Sequence, residues 1–274
     1  MTAATGARQV ALLEMAKLGG QLRTTVLLVV CVAAPFALVG ALAIQSSTPA
    51  DTLFGRWVHV SGLAVPLVVL GFAGQWAFPA LASVVSADVF GAEDHHGTWK
   101  LVLGRSRTRG EVFAGKAIVA LGFSLLATGL VIASSLIAGL VAVGGQPLLN
   151  LSGSIVEPHH GLWLVAASGL SQLPPVLGLS AVSVVLSVVF RSRIIGLVGP
   201  VAIGMLAQLL ALTDLPPAVR MLLPAGAFSA WRGLWLDQPL RTPIWTEVVV
   251  SAIAVAVCIG VAGAVFHRRD LVVR

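Results

Sequence analysis

Long uncharged apolar segments constrain the fold of this chain more than any other feature of its sequence. They are predicted at about residues 24–45, 60–86, 113–142, 162–190, 194–213 and 246–266. Each reaches roughly the 20 residues that a helix needs to cross a bilayer, and a water-soluble domain could not bury them all around one core. Hydrophobic residues make up 57% of the 274 residues, above the level typical of soluble domains. The sequence predicts an all-α polytopic membrane protein with a single membrane domain over residues 1–274.

Polar residues before the first span predict an interfacial helix. Within residues 1–23, Ala11, Met15 and Leu18 recur at helical spacing beside Glu14 and Lys17. Apolar and charged faces on one short helix are typical of a helix lying in the membrane interface.

The segment 214–245 is mildly apolar and rich in proline and tryptophan, including Trp231 and Trp235. Interrupted apolar pieces with tryptophan favour short re-entrant or interfacial helices at the outer leaflet, with the tryptophans at the interface. The alternative is an ordinary extracellular loop.

Basic residues are sorted between the two sides of the predicted topology. Of the 17 Lys and Arg residues, only Arg56, Arg220, Arg232 and Arg241 fall on the side opposite the termini. Because cytoplasmic loops of membrane proteins collect positive charge, both termini are predicted to be cytoplasmic. The abundance of Ala, Val, Gly, Leu and Arg suggests a bacterial protein, and so a multi-pass protein of the plasma membrane. The net charge of +6 is then explained by topology, and no nucleic-acid partner is expected.

A polar segment, residues 87–112, connects the second and third predicted spans. If residues 92–104 are helical, Glu93, Gly97 and Lys100 share one side. Such a helix could insert into a groove on a soluble partner. It could equally lie on the membrane surface with its basic residues facing anionic lipid, and the residues alone do not decide between the two.

This segment resembles the signature of the type-2 ABC transporter permease family. The matching positions, in order and without a gap, are Glu93, Gly97, Thr98, Leu101, Leu103, Arg105, Thr108, Arg109, Glu111, Gly115 and Lys116. The interfacial helix, six spans, the outer apolar segment and the basic C-terminal tail also resemble that family. One departure is Ser106, where the family usually has proline.

The resemblance implies the membrane subunit of a bacterial exporter. A separate cytosolic ATP-binding cassette ATPase would carry ATP and Mg, with no cofactor on this chain, and a second permease, identical or a paralogue, would complete the transporter. The residues that this resemblance assigns to ATPase coupling are Glu93, Asp94, Gly97, Thr98, Lys100 and Leu101. Arg105, Arg109 and Glu111 would fix the turn into the third span.

The predicted spans contain no charged residue deep in the membrane. Their polarity comes mainly from glutamines, and a possible substrate pathway is lined by Gln75, Trp76, Phe78, Gln172 and Gln208. The alternative is that these side chains only pack helices together or mark a kink. So apolar a pathway suits a hydrophobic or amphipathic substrate such as a drug, a lipid or a peptide.

Other function classes are less well supported by the sequence. An ion- or proton-coupled carrier or channel usually needs charged groups within the membrane. A membrane-embedded enzyme would need a nucleophile with a base or metal-binding carboxylates, so no catalytic residue is expected. The adjacent histidines His95–His96 and His159–His160 lack the spacing of a metal site, and no metal is predicted. No phosphate-binding GxxxxGK[ST] run is present.

Overall fold

The computed structural model describes residues 3–45, 52–96, 108–214, 216, 219 and 223–268, and these are mostly helical. The helices are α1 (Ala3–Gly19), α2 (Leu22–Ile44), α3 (Ala64–Phe72), α4 (Phe78–His96), α5 (Arg109–Ala142), α6 (Pro158–Leu170), α7 (Leu173–Phe190), α8 (Arg193–Ala211), α9 (Pro224–Ala227) and α10 (Thr242–Arg268). Strands β1 (Leu148–Leu149) and β2 (Ile155–Val156) pair as an antiparallel hairpin between α5 and α6. Short 3-10 helices occupy Gly55–Trp57 and Ala230–Trp235.

Five helical stretches of the described residues are long and apolar enough to cross a membrane. They are Leu22–Ile44, Arg109–Ala142, Pro158–Phe190, Arg193–Ala211 and Thr242–Arg268. The prediction of an all-helical polytopic membrane protein is therefore confirmed at this level, and each stretch overlaps a predicted span. The predicted span at 60–86 is not among the five.

That second predicted span falls on a helix that is interrupted in the middle. Helix α3 ends at Phe72, a π-helical turn covers Ala73–Ala77, and α4 begins at Phe78. The π turn divides the stretch into pieces of 9 and 19 residues, and α4 continues past the apolar part as far as His96. Whether this interrupted helix crosses the membrane stays a prediction.

Serine hydroxyls join α4 to α7 along their length. Ser180, Ser183 and Ser187, spaced about one helical turn apart, donate to the carbonyls of Ala82, Ser83 and Ala87 at 3.2, 3.3 and 3.4 Å. Because small side chains let the backbones approach, their hydroxyls can reach carbonyls on the facing helix. Helix α4 packs on α8 as well as on α7, and α10 packs on α7. These small residues therefore act in helix packing.

The turn between α7 and α8 is tight. Arg191 adopts a left-handed conformation with φ of 52°, which ends α7. The Ser192 hydroxyl then accepts from the Ile195 amide at 3.3 Å and caps the start of α8.

The opposite end of the helix bundle carries the hairpin and the 3-10 helix at Ala230–Trp235. Trp231 and Trp235 are buried there against Phe54, with ring centroids 6.2 and 5.2 Å from it. The Trp235 indole donates to the Ser168 hydroxyl at 3.0 Å. Short helices are present before α10, as α9 and this 3-10 helix, and the two tryptophans expected at the membrane interface are buried within the protein. Their large rings fill the space between the hairpin end and α6 instead.

Candidate functional site: a buried ion-pair network

A lysine at the start of the third predicted span is completely buried. The Lys116 ammonium contacts Glu14 Oε1 at 2.8 Å, the Val89 carbonyl at 2.9 Å and Glu93 Oε1 at 3.3 Å. Its exposed fraction is 0%. An ammonium group has three N–H donors, and these contacts can satisfy all of them. Lys116 therefore joins α1, α4 and α5 at one point.

Lys17 closes this network from the surface. Its ammonium lies 2.7 Å from Glu93 Oε1 and 3.7 Å from Glu14 Oε2. Partial desolvation lowers the pKa of Lys17, but the hydrogen bond to Glu93 and the charges of Glu14, Glu93 and Asp88 outweigh it. The pKa of Lys17 is thereby raised above 10.5, so the side chain is a cation at neutral pH. Two lysines and two glutamates together leave no net charge.

A glycine lets α1 reach this network. A Cβ atom on Gly115 would lie 2.7 Å from Val10 Cβ and 2.8 Å from the Ala7 carbonyl oxygen, so only glycine permits the close approach of α1 to α5. In the Gly115–Lys116 pair, the glycine lets α1 pack closely on α5 and the lysine forms an ion pair with Glu14 of α1. Ala11 and Leu18 of α1 are buried, whereas Met15 is half exposed.

A second charged cluster lies at the same end of the bundle, which we call the charged end. Asp88 of α4 is buried and pairs with Arg23 of α2 in a bidentate contact. The Arg193 Nε atom of α8 lies 2.8 Å from Asp88 Oδ1. The exposed fractions of the two arginine side chains are 41% and 46%. Asp88 thus connects α2, α4 and α8.

The start of α5 is fixed by a capping box and a contact to the C-terminal helix. The Thr108 hydroxyl accepts from the Glu111 amide at 3.3 Å, and Glu111 Oε2 accepts from the Thr108 amide at 3.0 Å. This reciprocal pair satisfies two amides that would otherwise lack helical partners. Arg109 donates from Nη1 to the His267 carbonyl of α10 at 3.0 Å. Glu111 and Arg109 therefore hold the start of α5 by hydrogen bonds to backbone groups.

The predicted ATPase-coupling residues are only partly placed by the structure. Gly97, Thr98, Lys100, Leu101 and Arg105 lie outside the described residues. Glu93 is 4% exposed and its carboxylate contacts two lysines. Its side chain is therefore inside the protein and does not form an outer contact surface, so we reassign it to holding α4 against α1 and α5. Asp94 is half-buried.

The predicted pathway residues do not line one cavity. Phe78 is fully buried, with its ring centroid 6.1 Å from that of Phe228. Gln172 is also fully buried and donates to the Ser171 hydroxyl at 3.2 Å. Gln208 borders a cavity near Arg232, at the end remote from the charged one. The side chain of Gln75 lies outside the described part of the structure. These placements support the packing alternative for Phe78 and Gln172.

Trp76 does line a cavity, which we call the apolar groove. The groove has a volume of about 420 Å³ and lies between α2 and the α3–α4 stretch, with Val131 of α5 at its base. Its lining is almost entirely apolar, from Leu27 and Leu38 on α2 to Val84 on α4. The π turn places Trp76 on its wall with 54% exposure. A π turn in a helix frequently marks a functional position.

Sequence reasoning missed Glu14 and Asp88 as members of these clusters. Asp88 immediately follows the apolar part of α4, and Glu14 lies on the face of α1 that packs on α5. An acidic residue just beyond one span and basic residues at the starts of other spans, as for Asp88 with Arg23 and Arg193, are a usable signal for such clusters. No local sequence pattern predicts the ion pair between Glu14 and Lys116, because the two residues are 102 positions apart in the chain.

A known family matches most of the chain. The model of a family described as "Protein of unknown function (DUF2705)" matches residues 52–272. No curated protein matches the chain.

Proposed function

Since the chain belongs to the DUF2705 family of proteins of unknown function, we propose its function from its own residues: it is the membrane subunit of an ATP-binding cassette exporter. A separate cytosolic ATPase supplies the energy, and a second copy or a paralogue completes the transmembrane pathway. The substrate is hydrophobic or amphipathic. The protein crosses a bacterial plasma membrane six times, with the interrupted α3–α4 helix as its second span and both termini cytoplasmic.

One observation carries this proposal, namely that both ends of segment 97–107 are held by strong local contacts. Helix α4, before the segment, is held by Glu93, which contacts Lys17 and the fully buried Lys116. After the segment, Thr108 and Glu111 form the capping box of α5. A force applied to the segment would therefore be transmitted to α1, α4 and α5 together. This arrangement supports a docking element for a soluble partner better than it supports a free surface loop.

The mechanism follows from that connection. The ATPase closes on ATP and displaces the segment that carries Gly97, Thr98, Lys100 and Leu101. The buried lysine contacts keep α4 and α5 from separating locally, so the displacement moves whole helices and changes the access of the pathway. Charged side chains that are buried in the described residues are Glu14, Asp88, Glu93, Lys116 and Glu247. Each lies within about two turns of a helix end, which favours an external energy source over an ion-coupled carrier.

The test is co-purification of the full chain from membranes of its own cell. We expect a cassette ATPase subunit in stoichiometric amount and ATP hydrolysis that vanadate inhibits. Lys100→Ala together with Leu101→Ala should reduce the recovered ATPase at least about tenfold, because removal of central contact residues commonly costs that much. Arg241→Ala, an exposed arginine near the opposite end, is the matched control and should leave recovery unchanged. Absence of any such subunit, with the chain itself intact, would overturn the proposal.

A further inference from the structure

We propose that the apolar groove binds one acyl chain of an anionic phospholipid, whose phosphate contacts Arg23 and Arg193. This inference concerns lipid binding by the chain itself and does not depend on an ATPase partner. It rests on the shape and lining of the groove, on the charges at its mouth and on the length of the helices that form it.

The two walls of the groove are apolar stripes on helices, one on α2 and one on the α3–α4 stretch. On α2 its lining residues run from Leu27 through Cys31 and Pro35 to Leu38, at the three- and four-residue spacing of one helix face. At 1.5 Å per residue this stripe is about 16 Å long. One leaflet of a bilayer contributes about 15 Å of hydrocarbon. The groove therefore matches the length of one leaflet rather than the whole membrane.

Both stripes end in a charged residue at the charged end of the bundle. Arg23 precedes Leu27 by four residues on α2, and Asp88 follows Val84 by four residues on α4. Residues four apart lie on the same helix face, so the Arg23–Asp88 pair sits about one turn beyond the apolar lining. A molecule in the groove would have its polar end at this pair.

The charge at this mouth is positive. Arg23 and Arg193 share the single carboxylate of Asp88, which leaves one net positive charge. A guanidinium has five N–H donors, and the contacts of Arg23 to Asp88 and Gln21 use three of them. Both arginine side chains are more than 40% exposed, so the remaining donors can reach a ligand. Guanidinium groups recognise phosphate well because of their planar fork of donors.

The position of Arg193 also favours an anionic ligand at the mouth of the groove. It is the first residue of α8, where the helix dipole disfavours a cation and favours an anion. Its place there does not stabilise the helix and is explained by the pairing with Asp88. The positive helix end and two guanidinium groups then lie beside one another, next to an apolar groove of leaflet length. An anionic headgroup with an acyl chain complements all three features.

The experiment is native mass spectrometry of the full chain, purified in detergent and mixed with phosphatidylglycerol or phosphatidylcholine of identical acyl chains. We expect one lipid per chain, with the anionic lipid preferred at least about fivefold, the contribution of one arginine at a membrane surface. Arg23→Gln should lower phosphatidylglycerol binding by about the same factor and leave phosphatidylcholine binding unchanged. Arg8→Gln removes another exposed arginine, from α1 at the same end, and should change neither.

The groove itself is tested by Ala34→Trp, which fills it from the α2 wall, with Ala34→Leu used if the tryptophan variant does not purify as one species. We expect loss of both lipids, since the chain site is removed. Equal affinity for the two lipids, equal losses in Arg23→Gln and Arg8→Gln, or full binding by the filled groove would each overturn the inference. A lipid-free dimer that Ala34→Trp dissociates would overturn it as well, because a second copy would then cover the groove. None of these results bears on ATPase co-purification, so the two proposals fail separately.

Discussion

Lys116 shows at the scale of one residue how a charge can be placed inside an apolar protein. Its ammonium has lost all contact with solvent, and desolvation of an ion in such a site is costly. The contacts to Glu14, Glu93 and the Val89 carbonyl offset that cost. Each partner then depends on the others, because removing one leaves a buried charge without compensation.

The substitution Lys116→Met should therefore destabilise the protein by about 3–5 kcal/mol, the cost of breaking a buried pair from one side. The substitution leaves Glu14 and Glu93 close together, and of the two lysines in the network only Lys17 still contacts them. The measurement is unfolding in mixed detergent, followed by loss of helical circular dichroism. Lys17→Met is the matched control and should cost less than about 1 kcal/mol, because Lys17 is half exposed and water screens its contacts.

A comparable loss in both variants would contradict this account. Adding Glu14→Gln and Glu93→Gln to Lys116→Met should recover part of the stability, because it removes the uncompensated charges.

At this scale the sequence predicted that Lys116 begins a span and belongs to a Gly–Lys pair. Its burial was not predictable, since Glu14 lies 102 residues away in the chain.

Helix α1 is the element whose placement depends most on a single neighbour. The amphipathic pattern predicted a helix over residues 1–23, and a helix is found at Ala3–Gly19. Its docking on α5 depends on Gly115, where a side chain would collide with Val10 and Ala7. The docked face presents Glu14 to Lys116, while Leu12 and Leu13 stay exposed. Packing thus decided which face of α1 is buried.

The substitution Gly115→Ala should separate α1 from α5. Inserting a methyl group into so close a contact costs about 1–3 kcal/mol, and trypsin should then cleave at Lys17 and Arg8 faster than in the parent protein. Gly122→Ala lies two turns further along α5 with no atom within 4 Å of the added Cβ. It should be neutral or stabilising by up to about 1 kcal/mol, since alanine is the better helix former. Equal cleavage rates in the two variants would refute the assigned role of Gly115.

Among the described residues, the ion pairs lie at the charged end of the bundle, whereas aromatic clusters lie at both ends, with Phe90, Phe113 and Phe266 packed together at the charged end. Lys116 and Asp88 mark the charged end, and Trp231 and Trp235 pack with Phe54 at the opposite end. Basic residues on one side predicted such a polarity. The number of spans decides whether the two termini share a side, because five spans would place them on opposite sides and six on the same side.

Single cysteines test that arrangement in intact cells. In a background with Cys31→Ala and Cys258→Ser, we introduce Arg8→Cys, Arg241→Cys or Arg268→Cys at exposed positions. A membrane-impermeant maleimide should label residue 241 at once and residues 8 and 268 only after permeabilisation. Labelling of one terminus but not the other would mean five spans and would show that the α3–α4 stretch does not cross.

The amino-acid sequence by itself determined the helical membrane class and the approximate helix positions, and it predicted how the basic residues are sorted between the two sides. These features depend on local apolar length and periodicity, which each segment carries independently of the others. Only the tertiary structure decided that Lys116 is buried between Glu14 and Glu93, that Arg23 and Arg193 share Asp88, and that Trp76 borders an apolar groove. Each of these arises where helices distant in the chain come together, because buried charges need partners from neighbouring helices and a groove exists only between two walls.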